Sequence, residues 1–291
     1  MNGTVQVQGR RLEPEDIGRI RELIAAHPDW SRRRVSEHLC AEWDWRNGAG
    51  QLKDMATRSL LLKLEARGFI ELPARRRVAS NRMRSQRLRP FAWDRTPVTG
   101  SLSDLGPLTV REVSREAAAR DELAAALAEF HYLGYRGSVG ENLQYTVTDA
   151  TGRLVACLQF GSAAWTCRAR DEFIGWTPER RMRGLHLLTN NSRFLILPWV
   201  RVPHLASWVL GRALRRVSAD WQHKYGHPIA LVETFVERPR FAGTSYQAAN
   251  WIRLGSTVGR SRQDRHRTLS VPVKDVYLYP LRRKFRAELC Q

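Results

Sequence analysis

Apolar positions set the outline of this chain before any other property is considered. Near the start they recur at helical spacing: Ile17, Ile20, Leu23 and Ile24 share one face of a helix predicted over 13–26. Ser31 is a good cap for a second helix bearing Val35, Leu39 and Trp43. Gly48-Ala-Gly50 interrupts the pattern. A third helix follows from about 51 to 66, with Met55, Leu60, Leu61 and Leu64 inward and Arg67-Gly68 as its stop. Residues 69–72 read as a short strand, followed by Pro73 and a basic run.

From 108 onward the pattern alternates between strands and helices. A strand over 108–113 precedes a helix over 117–130, which ends in His131-Tyr132-Leu133-Gly134-Tyr135. Strands over 143–148 and 154–160 flank the turn Asp149-Ala150-Thr151-Gly152. A less regular region follows over 164–188, then an apolar strand over 193–199. One long amphipathic helix is predicted over 204–225, bearing Leu205, Val209, Leu210, Leu214 and Val217. Then come an apolar strand over 228–236, a short helix over 246–251 and a glycine-punctuated basic strand. One acid, Glu233, interrupts the first of these strands. Buried there, it needs a partner or a task; at a strand end it would simply face water.

Three short helices and a small wing match the winged helix-turn-helix, whose third helix enters the major groove of DNA. Lys53 and Arg58 lie on the polar face of that helix, and Arg75, Arg76 and Arg77 form the basic wing. The alternative is a packing module that touches no DNA. The expected division is a winged helix-turn-helix-like region over 1–73, an Arg-rich linker over 74–106 and a mixed-sheet domain over 107–291. The linker has little apolar periodicity and suits a phosphate backbone.

Charge sharpens this picture. The 291 residues carry a formal net charge of +19, mostly as Arg. Such a field attracts polyanions, and the planar guanidinium fork suits phosphate. DNA is therefore the expected partner, although a GC-rich genome also enriches Arg. The four cysteines are scattered without a Cys-x-x-Cys pair, so neither a zinc site nor a disulfide framework is read. No long apolar run and no apolar signal core are present, so a cytoplasmic protein without a membrane partner is expected.

The fold class expected is α+β, a helical amino-terminal region followed by a GNAT-like mixed sheet. The element order of the second domain is similar to that of the GNAT acyltransferases, in which a Gly-bearing turn after the fourth strand presents amides to the acetyl-CoA pyrophosphate. The matching segment here is Arg201-Val-Pro203-His204-Leu-Ala206. His204 occupies the Gly position, and Pro203 lacks an amide hydrogen. No CoA is expected, and acyl transfer is the least favoured activity.

Longer motifs carry a second resemblance: Phe173-Ile-Gly175-Trp176, Asn190-Asn-Ser-Arg193-Phe-Leu-Ile-Leu-Pro198, Asp220-Trp221, Glu233-Thr-Phe-Val236, Gly243-Thr-Ser-Tyr246-Gln-Ala-Ala-Asn250-Trp251 and Gly259-Arg260, with His131-Tyr132-Leu133-Gly134. In these the chain resembles the DruA family of the Druantia anti-phage systems, whose relatives also occur beside or within transposase-like proteins. The resemblance implies a DNA-directed role in defence or mobile elements. It supplies no catalytic assignment.

Chemistry must then be argued from residues. Strand cleavage or transfer with a metal needs converging carboxylates, and Glu233, Asp171 and Glu172 are the available acids for Mg²⁺ or Mn²⁺. A covalent version would use Tyr246 or Tyr132, with His131 as base or phosphate contact. Helix packing is the simpler role for Tyr246, and a bond to a carbonyl for His131. Asn190, Asn191, Arg193 and Asn250 are candidate contacts to phosphate or bases, although Asn is also common in turns. Trp176 beside Arg180 and Arg181 is the candidate stacking ring, and Arg260, Arg262 and Arg265 should line the DNA path. The competing reading is an adaptor without chemistry that recruits a helicase or transposase partner.

Overall fold

The structure is a computed structural model and describes residues 5–7, 10–48, 50–76, 90–259 and 272–291. It divides into two compact units, Met1–Asn81 and Arg82–Gln291.

The first unit opens with a hairpin of β1 (Val5–Val7) and β2 (Arg10–Leu12), followed by α1 (Pro14–Ala26), α2 (Arg32–Glu42) and α3 (Asp54–Ala66). Most of the predicted spacing works out: Ile17, Ile20, Leu23, Val35, Leu39, Leu60, Leu61 and Leu64 form one core with Val7 and Leu12, but Met55, expected inward, is exposed in the first turn of α3. Ser31 caps α2 by accepting from the Arg34 amide at 3.2 Å. The wing is a correction. Residues 69–72 form no strand among the described residues. Ile70 and Leu72 are instead buried against the helices, and Arg32 fastens this stretch through Pro73 O at 2.6 Å and a two-pronged bond to Glu65 at 3.0 Å. A chain spent on packing and side-chain bonds has no need of a ladder.

The second unit starts earlier than expected. Trp93, Val98, Leu102 and Leu105 join its core, so the described residues 90–106 belong to the folded unit and not to a linker. Within them β3 (Val98–Thr99) pairs in parallel with β8 (Val200–Arg201). The main sheet comprises β4 (Thr109–Glu112), β5 (Leu143–Thr148), β6 (Leu154–Ser162), β7 (Leu188–Ile196), β9 (Leu231–Glu237), β10 (Ile252–Ser256) and β11 (Lys274–Pro280), in the order β10-β11-β9-β7-β6-β5-β4. All neighbours are antiparallel except β7 and β9. Helix α4 (Ala117–Phe130) follows β4; α5 (Arg168–Ile174) and α6 (Pro178–Gly184) fill the irregular region; α7 (Leu205–Leu214) and α8 (Val217–Tyr225) link β7 to β9; α9 (Thr244–Ala248) and α10 (Phe285–Leu289) complete the unit. This is the expected α+β, GNAT-like element order.

The single helix predicted over 204–225 is two. It breaks at Arg215 and Arg216, where the Arg216 guanidinium binds Val110 O at 2.6 Å and Asp220 at 2.7 Å. Continuing apolar periodicity hides such a break, because Val217 and Trp221 return to the same core.

Candidate functional site

Strands β7 and β9 are the only parallel neighbours in the sheet among the described residues, and their ladder is short: Leu188↔Leu231, Thr189↔Val232 and Asn190↔Glu233. Beyond it the strands diverge and leave a cleft of about 390 Å³, lined by both strands, the 130–133 corner, the start of α7 and residues 241–246. Four of the residues singled out from sequence, His131, Tyr132, Asn191 and Tyr246, line this cleft.

The floor of the cleft is a closed hydrogen-bond set. Tyr246 Oη donates to Asn191 Oδ1 at 2.8 Å, and Thr234 Oγ1 donates to Asn191 O at 2.9 Å. Asn191, buried, uses its amide hydrogens on Gln159 O and Arg193 O. Burial pushes the Tyr246 phenol well above its ordinary range, which opposes nucleophilic use of its oxygen. Gly243 starts α9 at φ +73°, and a Cβ there would collide with Tyr277 Oη.

The rim is aromatic. Tyr132 and Phe241 are 36% and 46% exposed and meet edge to face at 5.1 Å. His131 stacks on Tyr132 at 4.9 Å, and Arg240 lies 5.0 Å over the same ring. The His131 Nδ1 accepts from the Leu133 amide at 3.2 Å, which puts the ring proton on Nε2. Burial, helped by the Arg193 charge, pulls its pKa down to about 4, so the imidazole is neutral at pH 7. Arg193 donates to Gly134 O at 3.0 Å and Ser192 O at 2.7 Å. Among the described residues it pairs with no carboxylate. Desolvation lowers its pKa, although its side chain is not part of the cleft lining.

Glu233 belongs to a different site. Side chains alternate along a strand, so Glu233 shares a face of β9 with Leu231, opposite Thr234 and the Tyr246 bond. Fully buried, it accepts from Arg170 NH1 at 2.8 Å and the Ala164 amide at 2.6 Å. Arg170, also fully buried, donates to Asp171 Oδ1 at 2.8 Å and Ala164 O at 2.7 Å. Asp171 in turn receives Arg181 at 3.3 Å. Burial raises the Glu233 pKa and the Arg170 charge opposes that rise. Glu172 is exposed and pairs with Arg168 at 2.8 Å. The three acids therefore do not converge on an open point: a guanidinium joins two of them and the third faces away. No group of three or more potential ligands able to hold a metal ion exists among the described residues.

The other candidates are dispersed. Trp176 donates its indole N–H to Leu289 O at 2.7 Å, with the Arg170 guanidinium 5.5 Å from its ring. It is packed in place and not a free platform. Arg180 is exposed on α6. Asn190 lies beside Glu233 in the ladder. Asn250 takes φ +63° in the turn before β10, as the turn reading requires. In the first unit Lys53 sits at the start of α3, 6.0 Å from the Trp45 ring, and Arg58 pairs with Asp54 at 3.7 Å. Arg75 and Arg76 are exposed, Arg76 donating to Asp29 O. Arg77, Arg260, Arg262 and Arg265 lie outside the described residues. Sequence reasoning missed Arg170, Phe241 and Thr234. The apolar setting of Glu233 signalled that a cation was required, but not which one.

The loop equivalent to a CoA-phosphate turn is unusual. His204 holds φ +64° immediately before α7, a conformation that is cheap for Gly and costly for a residue with a Cβ. Its neighbour Leu205 turns its amide to Val202 O at 3.3 Å.

Comparison with solved structures gives likenesses to the spermidine/spermine N-acetyltransferase SpeG from Vibrio cholerae. The form solved with manganese ions shares 12% identity over 61% of this chain and 94% of that chain, at a TM-score of 0.38. The form solved with CoA and spermine shares 13% over 59% and 92%, at 0.37. Likeness at this level assigns neither activity nor ligand. No curated protein matches the chain. The family described as Druantia protein DruA matches residues 63–285. The chain belongs to the DruA family, which supports an anti-phage defence context. No helix among the described residues is long and apolar enough to cross a membrane.

Proposed function

We propose that this DruA-family protein is a DNA-binding adaptor of anti-phage defence, engaging phosphates through its arginines and offering the β7–β9 cleft to an unstacked base. Chemistry on the DNA then falls to a helicase or transposase-type partner. The observation that carries this reading is the state of the acids: Glu233 and Asp171 are consumed by Arg170, and Glu172 by Arg168. What lines the cleft instead is a neutral imidazole, hydroxyls already bonded and exposed aromatic rings, with the Arg193 charge felt at His131 from outside the lining. That set suits stacking and phosphate contact better than carboxylate–metal cleavage. The net charge of +19 supplies the long-range attraction.

The test is binding of labelled single-stranded, duplex and branched DNA, with and without Mg²⁺ or Mn²⁺, across a salt series, with product analysis. The expected result is binding that weakens steeply with salt and leaves the DNA intact. Absence of binding at low salt would overturn the reading. So would a nicked or joined product that disappears in Glu233→Gln or Tyr246→Phe, which would establish a DNA-processing enzyme.

A further inference from the structure

A second, smaller cavity of about 280 Å³ lies away from the cleft, between α4, the segment 135–142 and α8, with Arg120, Asp121, Tyr135, Gln144 and Lys224 in its wall. Two features mark it. Its cations lack anions: Arg120 has no side-chain partner among the described residues, and Lys224 is held only by Asn142 O at 2.7 Å and the Tyr225 ring at 5.0 Å. Its acceptors lack donors: Asp121 forms no ion pair or side-chain hydrogen bond among the described residues, and the buried Gln144 leaves Oε1 without a partner while Nε2 donates to Tyr135 Oη at 2.6 Å.

An unsatisfied buried amide oxygen opposes folding, so its presence needs a reason. Turning the amide over does not remove the problem. Oε1 would then take the Tyr135 hydroxyl and leave Nε2 without an acceptor. An unpartnered buried amide oxygen in the same wall as two cations without anions asks for a ligand that is anionic at one end and carries N–H or O–H donors at the other.

We propose that this cavity binds a nucleoside monophosphate, either free or as the 5′-phosphorylated terminal nucleotide of a strand. Its phosphate sits on Arg120 and Lys224, a sugar hydroxyl donates to Asp121, and an exocyclic amino or ring N–H of the base donates to Gln144. Inorganic phosphate supplies only the first of these contacts and a nucleoside only the others. Binding of a free nucleotide does not rest on the adaptor reading and stands or falls separately from it.

The experiment is calorimetric titration of the whole protein with deoxynucleoside monophosphates, with inorganic phosphate and deoxynucleosides as partial ligands. Competition then uses short single strands bearing either a 5′-phosphate or a 5′-hydroxyl. Saturable nucleotide binding is expected, with both partial ligands weaker. Arg120→Ala, at an exposed position, is expected to weaken binding by about tenfold or more. Gln144→Leu is expected to weaken it similarly while leaving stability equal or higher, a response that a purely structural amide would not give. Displacement only by the 5′-phosphorylated strand would place the ligand at a strand end, and displacement by neither strand would make it the free nucleotide. Absence of saturable binding, or binding indifferent to both substitutions, overturns the proposal.

Discussion

Replacing Glu233 tests whether that residue is chemistry or architecture. In Glu233→Ala the guanidinium of Arg170, fully buried, keeps only Asp171 and Ala164 O as partners. Removing one partner of a buried pair costs about 3–5 kcal/mol. The remaining Asp171 contact argues for the lower end of that range. The Ala164 amide, which Glu233 accepts at 2.6 Å, is also orphaned, at about 1–3 kcal/mol. A loss of roughly 4 kcal/mol is a large part of the 5–15 kcal/mol that holds an average domain together. Glu233→Gln keeps an acceptor for Ala164 and should cost less. The double substitution Arg170→Met with Glu233→Leu removes both charges and should recover most of the loss. The assay is denaturant-dependent hydrogen exchange at the β9 and β7 amides for the wild type, both single variants and the double variant. DNA affinity would be measured on the folded fraction. Architecture predicts strong coupling between the two positions and unchanged affinity of folded Glu233→Gln. The reasoning is refuted if Glu233→Gln is as stable as the wild type yet loses a DNA product or DNA affinity.

The remaining predictions concern the cleft. His131 has a folded pKa near 4 against an ordinary 6.5. The unfolded chain therefore binds more protons between these values, and this contribution to stability, full above about 6.5, is lost as pH falls towards 4; denaturation midpoints of His131→Gln at pH 7 and pH 5 should differ less than those of the wild type. Tyr246→Phe deletes the bond to Asn191 and should cost about 1 kcal/mol in thermal unfolding without changing DNA affinity; loss of a covalent DNA adduct in this variant would contradict the packing role. Tyr132→Ala should weaken single-strand binding by about 1–3 kcal/mol and duplex binding much less, as read by fluorescence anisotropy; equal loss on both would show that Tyr132 does not stack on a base.

Local rules carried well where an element had a single periodicity and clear ends. Helix α4 was predicted at its observed bounds, Ala117–Phe130, and so was β5, Leu143–Thr148. They failed where tertiary contacts supplied the missing bonds. Residues 69–72 have strand composition but spend themselves on the helices, and Arg216 breaks a helix whose apolar stripe runs on. The resemblance to DruA was legible because its motifs are long and contiguous.

The site was legible only in part. The sequence by itself determined the cationic field, most of the succession of strands and helices along the chain and the short list of chemistry-bearing residues, since these follow from composition, period and local motif. Which of those residues meet was decided by the tertiary structure. Glu233 and Thr234 are neighbours in the chain, yet the pleat sends one to Arg170 and the other to Tyr246. Arg170 lies 63 residues from Glu233 and reaches it because α5 packs beside the sheet. His131, Asn191 and Tyr246 come from three separate segments, and they share one cleft because β7 and β9 pair for three residues and then part. Period and propensity act over a few residues, whereas burial and charge compensation are settled between segments that only folding brings together.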